Sequence, residues 1–305
     1  MSYVKLLAFL SVLFARSLFS VVDEKPMVVV IPSYKNEKWC SLNLRTILDQ
    51  NYSNYRVVYV DDCSPDKNSV KVEEFVLEHI SRSLHSFKKV LFDDRGSKNH
   101  SAVTAQFSKE VNKDRAFFTL VVNKNRCGAL ANLYRGIHSC DDDEIVVTID
   151  GDDWLPDDEV LKRLNEAYSS GEVWLTHGNL IEYPSGSVSW CEPVPPEIIK
   201  SNSFRNFKCP SHLRTFESWL FKRIDLKDLL YKGDFFAMTW DMAMMYPMIE
   251  MAGERHLFMS QPNYVYNMVN PINDNKVNAD LQNFLDKYLR NKSPYPRLNN
   301  KHDKS

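Results

Sequence analysis

EIVVTIDGDDWL, residues 144–155, is the stretch on which the fold of this chain turns. Ile145 to Ile149 form a short, largely apolar, β-prone run, which reads as a strand buried within a sheet. It leads straight into Asp150-Gly151-Asp152-Asp153. Three carboxylates so close together repel one another and cannot all be buried without a counter-charge. A divalent cation meets that need, because hard cations take oxygen ligands and bridge to phosphates. An isolated DGDD is more often a solvated acidic turn. The strand before it, and a second acidic strand end upstream, favour a site.

That second end is RVVYVDD (56–62), and MVVVIPSY (27–34) and AFFTLVVN (116–123) read as further strands. Apolar spacing predicts helices over 37–50, 69–84 and 127–138. Strands alternating with helices of this length argue for a parallel sheet with right-handed crossovers. In such a sheet Asp61-Asp62 and the acids at 150–153 share one edge, outside the carboxyl ends of the strands, where ligands of open α/β sheets bind. Residues 92–114 are polar and mixed and read as an inserted loop. The second half is less regular, with a strand element at 173–183, a proline-rich loop at 191–197, a short helix within 209–221 and an apolar helix at 240–252. Beyond residue 290 the chain is polar, and a disordered tail is expected over 291–305.

The 305 residues carry a net charge of −2, which gives no reason to expect a nucleic-acid partner. Lys5 followed by LLAFLSVLFA (6–15) resembles a secretory signal peptide or signal-anchor over 1–22. Six cysteines are compatible with a few disulfides, and Asn51, Asn99 and Asn291 begin glycosylation triplets. Together these point to the secretory lumen or a membrane-associated location; a cytoplasmic chain with an amphipathic extension is the alternative.

The segments VVVIPSYKNE (28–37), ILDQNYSNYRVVYVDDCSPD (47–66), NRCGALANLYRGI (125–137) and TIDGDDWL (148–155) resemble the family 2 glycosyltransferases of GT-A fold. Weaker likeness runs through FFAMTWDMAM (235–244) and NYVYN (263–267). The resemblance implies a Rossmann-like α/β domain over 27–290, with a mostly parallel central sheet flanked by helices. Residues 27–155 would be its nucleotide-sugar-binding half, and 156–290 an irregular half for acceptor and catalysis. It further implies a UDP- or GDP-sugar donor, Mn²⁺ or Mg²⁺, inversion at the anomeric carbon, and a hydroxyl acceptor on a glycan, protein or lipid.

Roles follow position by position from the same resemblance. Pro32, Ser33, Tyr34 and Glu37 match the turn that borders the nucleoside. Asp61, with Asp62 beside it, matches the acid at base or ribose. Asp150 and Asp152 match the DxD pair, the first near ribose or metal and the second a metal ligand. Asp241 matches the general base, although the Glu that usually precedes it is Trp240 here, an indole that offers a sugar a stacking face. The glycine-rich stretch after the third strand is shortened to Arg126-Cys127-Gly128, where Arg126 is a candidate diphosphate contact. His212 is a candidate third metal ligand, Arg214 a candidate phosphate contact and His177 a candidate acceptor contact, against the commoner reading of a lone His as structural. The QxxRW pattern of processive synthases is absent and no membrane span follows, which argues against polymer extrusion.

Two other functions stay open. A nucleotidyltransferase would carry a glycine-rich basic loop after the first strand, and SYKNEKWC (33–40) has no glycine. A degenerate transferase that only binds sugar nucleotide would have lost its acids, and Asp61, Asp150, Asp152 and Asp241 are all present.

Overall fold

The structure is a computed structural model describing residues 23–81, 85–208 and 210–303; the expected leader over 1–22 lies outside these residues. Its centre is an eight-stranded sheet of β1 (Met27–Ser33), β2 (Tyr55–Asp61), β3 (Phe87–Phe92), β4 (Phe118–Asn123), β5 (Ile145–Thr148), β6 (Leu175–Gly178), β7 (Arg214–Glu217) and β8 (His256–Met259). Their order across the sheet is β8-β6-β7-β5-β1-β2-β4-β3. All neighbouring pairs are parallel except those made by β7, which runs antiparallel to both β5 and β6. The α/β architecture expected from strand–helix alternation is the one observed.

Every residue of β1, β2 and β5 is buried, because helices cover both faces of the sheet. Val28, Val30, Val58, Val60 and Val146 face one core layer, which the helices His100–Asn112, Ala129–His138 and Trp240–Ala252 complete. Met27, Val29, Ile31, Val57 and Val147 alternate to the other, closed by the helices Cys40–Leu48, Asn68–Ile80 and Val160–Tyr168. This two-sided burial is why the strands read as continuous apolar runs. Each large aliphatic side chain so buried contributes about 1.5–3 kcal/mol.

Three expectations need correction. Residues 92–114 are not an irregular loop: after edge strand β3 the chain forms the helix His100–Asn112, capped by the Asn99 side chain, which accepts from the Ala102 amide at 3.1 Å. Val103, Phe107 and Val111 form its buried stripe at four-residue spacing, diluted in the sequence by the polar residues of the outer face. The tail over 291–303 is packed rather than disordered. Leu298 is buried and donates its amide to Met251 O at 2.9 Å, while Arg223 donates to the carbonyls of Lys301 and Asp303, both at 2.7 Å. A few anchors hold a segment whose average composition is polar. Finally, the five described cysteines, Cys40, Cys63, Cys127, Cys140 and Cys191, are all free thiols.

Candidate active site

The carboxyl ends of β1, β2 and β5 meet at one edge, as their register requires: Ser33 pairs with Asp61, and Val30 with Thr148. The Ser33 hydroxyl accepts from Tyr59 Oη at 2.7 Å and from Asn36 Nδ2 at 3.1 Å. Gly151 sits directly against this knot; a Cβ there would lie 2.5 Å from Ser33 Oγ and 2.7 Å from Asn36 Nδ2, so a side chain would push the two turns apart. Buried Asn43, on the helix Cys40–Leu48, donates to Asp150 O at 3.0 Å and to Asp153 O at 2.7 Å. The acidic turn is thus held by its backbone, separately from the contacts that its carboxylates make.

Asp153 points into the protein, where it accepts from Tyr264 Oη at 2.6 Å and from the Asn267 amide at 2.7 Å. Burial raises its pKa well above the usual carboxylate range, and the charges of Asp152 and Asp150 push it further. Asp152 is half-buried at the cleft wall and accepts from Asn270 Nδ2 at 2.6 Å; burial raises its pKa too. Both acids border the cleft, yet they differ in kind: Asp153 is buried and clamped by Tyr264 and Asn267, whereas Asp152 is half-exposed at the wall.

A cleft of about 600 Å³ opens over this edge, within the range of small-molecule sites. Pro32, Ser33 and Tyr34 line it from the end of β1, and Asp150 and Asp152 from the turn after β5. Asp62 and Arg126 line it between them, with the Arg126 guanidinium 3.9 Å over the Tyr34 ring. Asp62 accepts from the amides of Cys127 and Gly128 at 2.9 and 2.8 Å and from Asn123 Nδ2 at 3.0 Å, which ties the shortened glycine stretch to β2. Asp61 stands behind it, accepting from the Ser64 amide at 2.8 Å and Asn68 Nδ2 at 2.5 Å, and burial raises its pKa. Glu37 turns away from the cleft and accepts from the Lys67 amide at 3.2 Å.

The facing wall comes from the second half of the chain. Asp241, in the first turn of Trp240–Ala252, accepts from Arg214 Nη2 at 2.5 Å and from the Met242 amide at 2.9 Å. Arg214 in turn donates from Nη1 to His212 Nε2 at 2.7 Å, an assignment that follows because a guanidinium only donates. The His212 ring stacks on Tyr264 with centroids 4.4 Å apart. Burial, and then the Arg214 charge, hold its pKa well below the ordinary histidine value, so it is neutral. His212 and Asp241 both line the cleft. His177 does not: it is fully buried on β6, 3.9 Å from Cys191 Sγ, with its pKa pushed down to about 3 by burial and then by His256.

The sequence matches the model of glycosyl transferase family 2 over residues 28–83 and 74–230. The chain belongs to that family. Among solved structures, it resembles Staphylococcus aureus TarS residues 1–349 at 14% identity and a TM-score of 0.52, covering 79% of this chain and 60% of that one. The same region of TarS in complex with UDP aligns at 15% identity and 0.51, covering 81% and 61%. A mannosyltransferase from Pyrobaculum calidifontis, in complex with GDP-Man and Mn²⁺, aligns at 17% identity and 0.49, covering 83% and 59%. The chain spans about three fifths of the TarS chain it matches, and likeness at such identity speaks to fold. No curated protein matches it by sequence.

In this family 2 domain, Asp150 and Asp152 are the residues suited to a divalent cation. Among the described residues no group of three or more His, Cys, Asp and Glu gathers as a metal site. The lone pair of His212 Nε2 is already taken by Arg214, and Asp153 is taken by Tyr264 and Asn267. Two carboxylates beside an open cleft suit Mg²⁺ or Mn²⁺ held jointly with substrate phosphates and water. The residues present fit a metal that arrives with its donor, not a closed protein cage.

Sequence reasoning misses the groups that shape the turn: Asn43, Tyr264, Asn267 and Asn270. An Asn amid the apolar positions of a helix is a legible signal for Asn43. The NYVYN segment stands out only for its family likeness, which assigns its residues no role.

Proposed function

We propose that this family 2 protein is a metal-dependent, inverting glycosyltransferase that moves one sugar from a nucleoside diphosphate sugar, most simply a UDP-sugar, to a hydroxyl acceptor. The observation that carries this reading is the meeting, across one cleft, of the strand-end acids Asp150 and Asp152 with Asp241 on the opposite wall. Tyr34 and Arg126 would flank the nucleotide, and Asp150 and Asp152 would hold Mn²⁺ or Mg²⁺ against its diphosphate. When bound, that ion supplies Lewis-acid stabilisation of the leaving charge. Asp241 would take the proton of the acceptor hydroxyl as its oxygen bonds to the anomeric carbon. The bond from that carbon to the diphosphate oxygen breaks, and the nucleoside diphosphate departs with the electron pair. Arg214 keeps Asp241 in place, and neutral His212 keeps Arg214 in place.

A second reading, sugar-nucleotide binding without transfer, draws on one observation: Trp240 stands where the resemblance expects a Glu. Incubation with a panel of UDP- and GDP-sugars, with and without Mn²⁺, separates the two. Metal-dependent nucleotide release is expected. Tight nucleotide binding with no release under any acceptor would favour the binding protein, and neither would sink both. We also propose that residues 1–22 direct the chain into the secretory pathway and that Asn51, exposed and bonded to Glu159 Oε1 at 2.6 Å, accepts a glycan. Glycosidase treatment of protein made in eukaryotic cells tests this; an unshifted band with an intact N-terminus would favour the cytoplasm.

A further inference from the structure

The cleft carries an aromatic side chain on its rim that the transfer chemistry leaves unused. Trp190 lines it and is 53% exposed. Single exposed apolar residues are ordinary, but this one is held in place. Ser189 donates its amide to Leu180 O at 2.9 Å, and its hydroxyl accepts from the Leu180 amide at 3.1 Å. On the other side Cys191 is buried against His177. The chain is held before the indole by the Ser189 backbone and after it by the buried Cys191 side chain, and the Lys208 ammonium lies 3.7 Å over its ring. Holding the chain on both sides lessens the ordering cost when a ligand lands on the ring.

The groups around it indicate what would land. Thr239, Asn270, Asn273 and Gln282 line the same cleft, which sets hydroxyl and amide hydrogen-bonding groups beside the Trp190 indole. An acyl chain would call for a continuous apolar groove, and an extended peptide for a free sheet edge. A pyranose has an apolar C–H face and a rim of hydroxyls, and matches this mixture.

We propose that Trp190 is a platform on which a pyranose of the acceptor stacks, so that the hydroxyl receiving the transferred sugar belongs to a carbohydrate. This rests on the transferase reading above. It adds the acceptor class and a specificity-determining residue from the loop before residue 196, separate from the base on the late helix.

The test pairs a direct binding readout with kinetics. Methyl β-D-glucopyranoside, methyl β-D-galactopyranoside and methyl N-acetyl-β-D-glucosaminide are compared with a Ser/Thr peptide and a long-chain alcohol, as acceptors and as ligands in saturation-transfer NMR. At least one glycoside should show ring-proton transfer and serve as acceptor. Trp190→Ala should abolish that transfer signal and raise the acceptor KM about tenfold, the upper end for an aromatic contact. Trp190→Phe, which keeps a ring, should recover most of it. An unchanged acceptor KM in Trp190→Ala, an equal rise in the donor KM, or preference for the peptide or the alcohol would overturn the proposal. If the wild-type protein releases nucleotide from no sugar nucleotide, the transferase reading itself fails and takes the acceptor role with it. A glycoside signal lost in Trp190→Ala under those conditions would identify a sugar-binding site alone.

Discussion

The two walls of the cleft are built by different means. The first consists of the ends of parallel strands whose turns are fixed to one another through main-chain atoms and buried amides, as when Asn43 grips both Asp150 O and Asp153 O. The second consists of side chains in series, neutral His212 to Arg214 to Asp241, delivered by an antiparallel strand and a helix more than 20 residues apart. A wall set by main-chain geometry tolerates loss of one carboxylate without losing shape. A relay of side chains transmits any loss along its length. Single substitutions should therefore act locally on the first wall and propagate on the second.

The largest effect is expected at Asp241. Replacing it with Asn keeps the shape and removes the base, and kcat for transfer should fall about 10²–10⁴-fold, the usual range for general-base loss. Steady-state rates with a saturating donor measure this, and near-normal turnover would reduce Asp241 to a helix-start acid complementing the dipole. On the first wall, Asp152→Asn should weaken metal-dependent nucleotide binding at least about tenfold, since even removal of groups behind metal ligands costs about that much. Calorimetry with Mn²⁺ reads it, and an unchanged donor affinity would remove Asp152 from the metal site.

Where the first wall joins the core, Tyr264→Phe leaves Asp153 Oδ2 without its 2.6 Å donor. An unpaired buried acceptor costs about 1–3 kcal/mol, visible as a lower denaturation midpoint at an unchanged slope. No change in midpoint would mean that the clamp contributes nothing to stability.

A further effect lies behind the second wall and appears only on acidification. An unfolded histidine gains its proton near pH 6.5, whereas folded His177 stays neutral down to about 3. Between those values the unfolded chain binds more protons, so this contribution to stability is lost as pH falls from about 6.5 towards 3. At about 1.4 kcal/mol per pH unit the loss reaches about 2 kcal/mol by pH 5. Because buried carboxylates titrate over the same range, the quantity to measure is the difference in unfolding free energy between wild type and His177→Asn. It should shrink by about that amount between pH 7 and pH 5. A pH-independent difference would show that His177 titrates normally in the fold.

The central strands and the acids of the first wall are legible in the sequence, whereas the strands at 87–92, 214–217 and 256–259 are not. Continuous apolar runs bounded by turns read as buried strands, and two of them end in acids that share one rim, so β1, β2 and β5 and the acids at 61–62 and 150–153 stand out in the residues themselves. The sequence also marked the late helix that carries Asp241. The helix His100–Asn112 escapes such a reading because only three or four of its thirteen residues face inward, and strand β3 because an edge strand with Leu91 68% exposed lacks a two-sided apolar run. Tertiary structure alone decided which acid does what. Asp150, Asp152 and Asp153 are alike in sequence, and they part only because Tyr264 and Asn267 arrive from more than a hundred residues away to claim Asp153. Likewise only folding set Asp62 on the cleft and Asp61 behind it, and turned His212 from a metal candidate into the support of Arg214. Local pattern follows from burial of one's own neighbours, whereas the state of a charge depends on partners that the chain brings from afar.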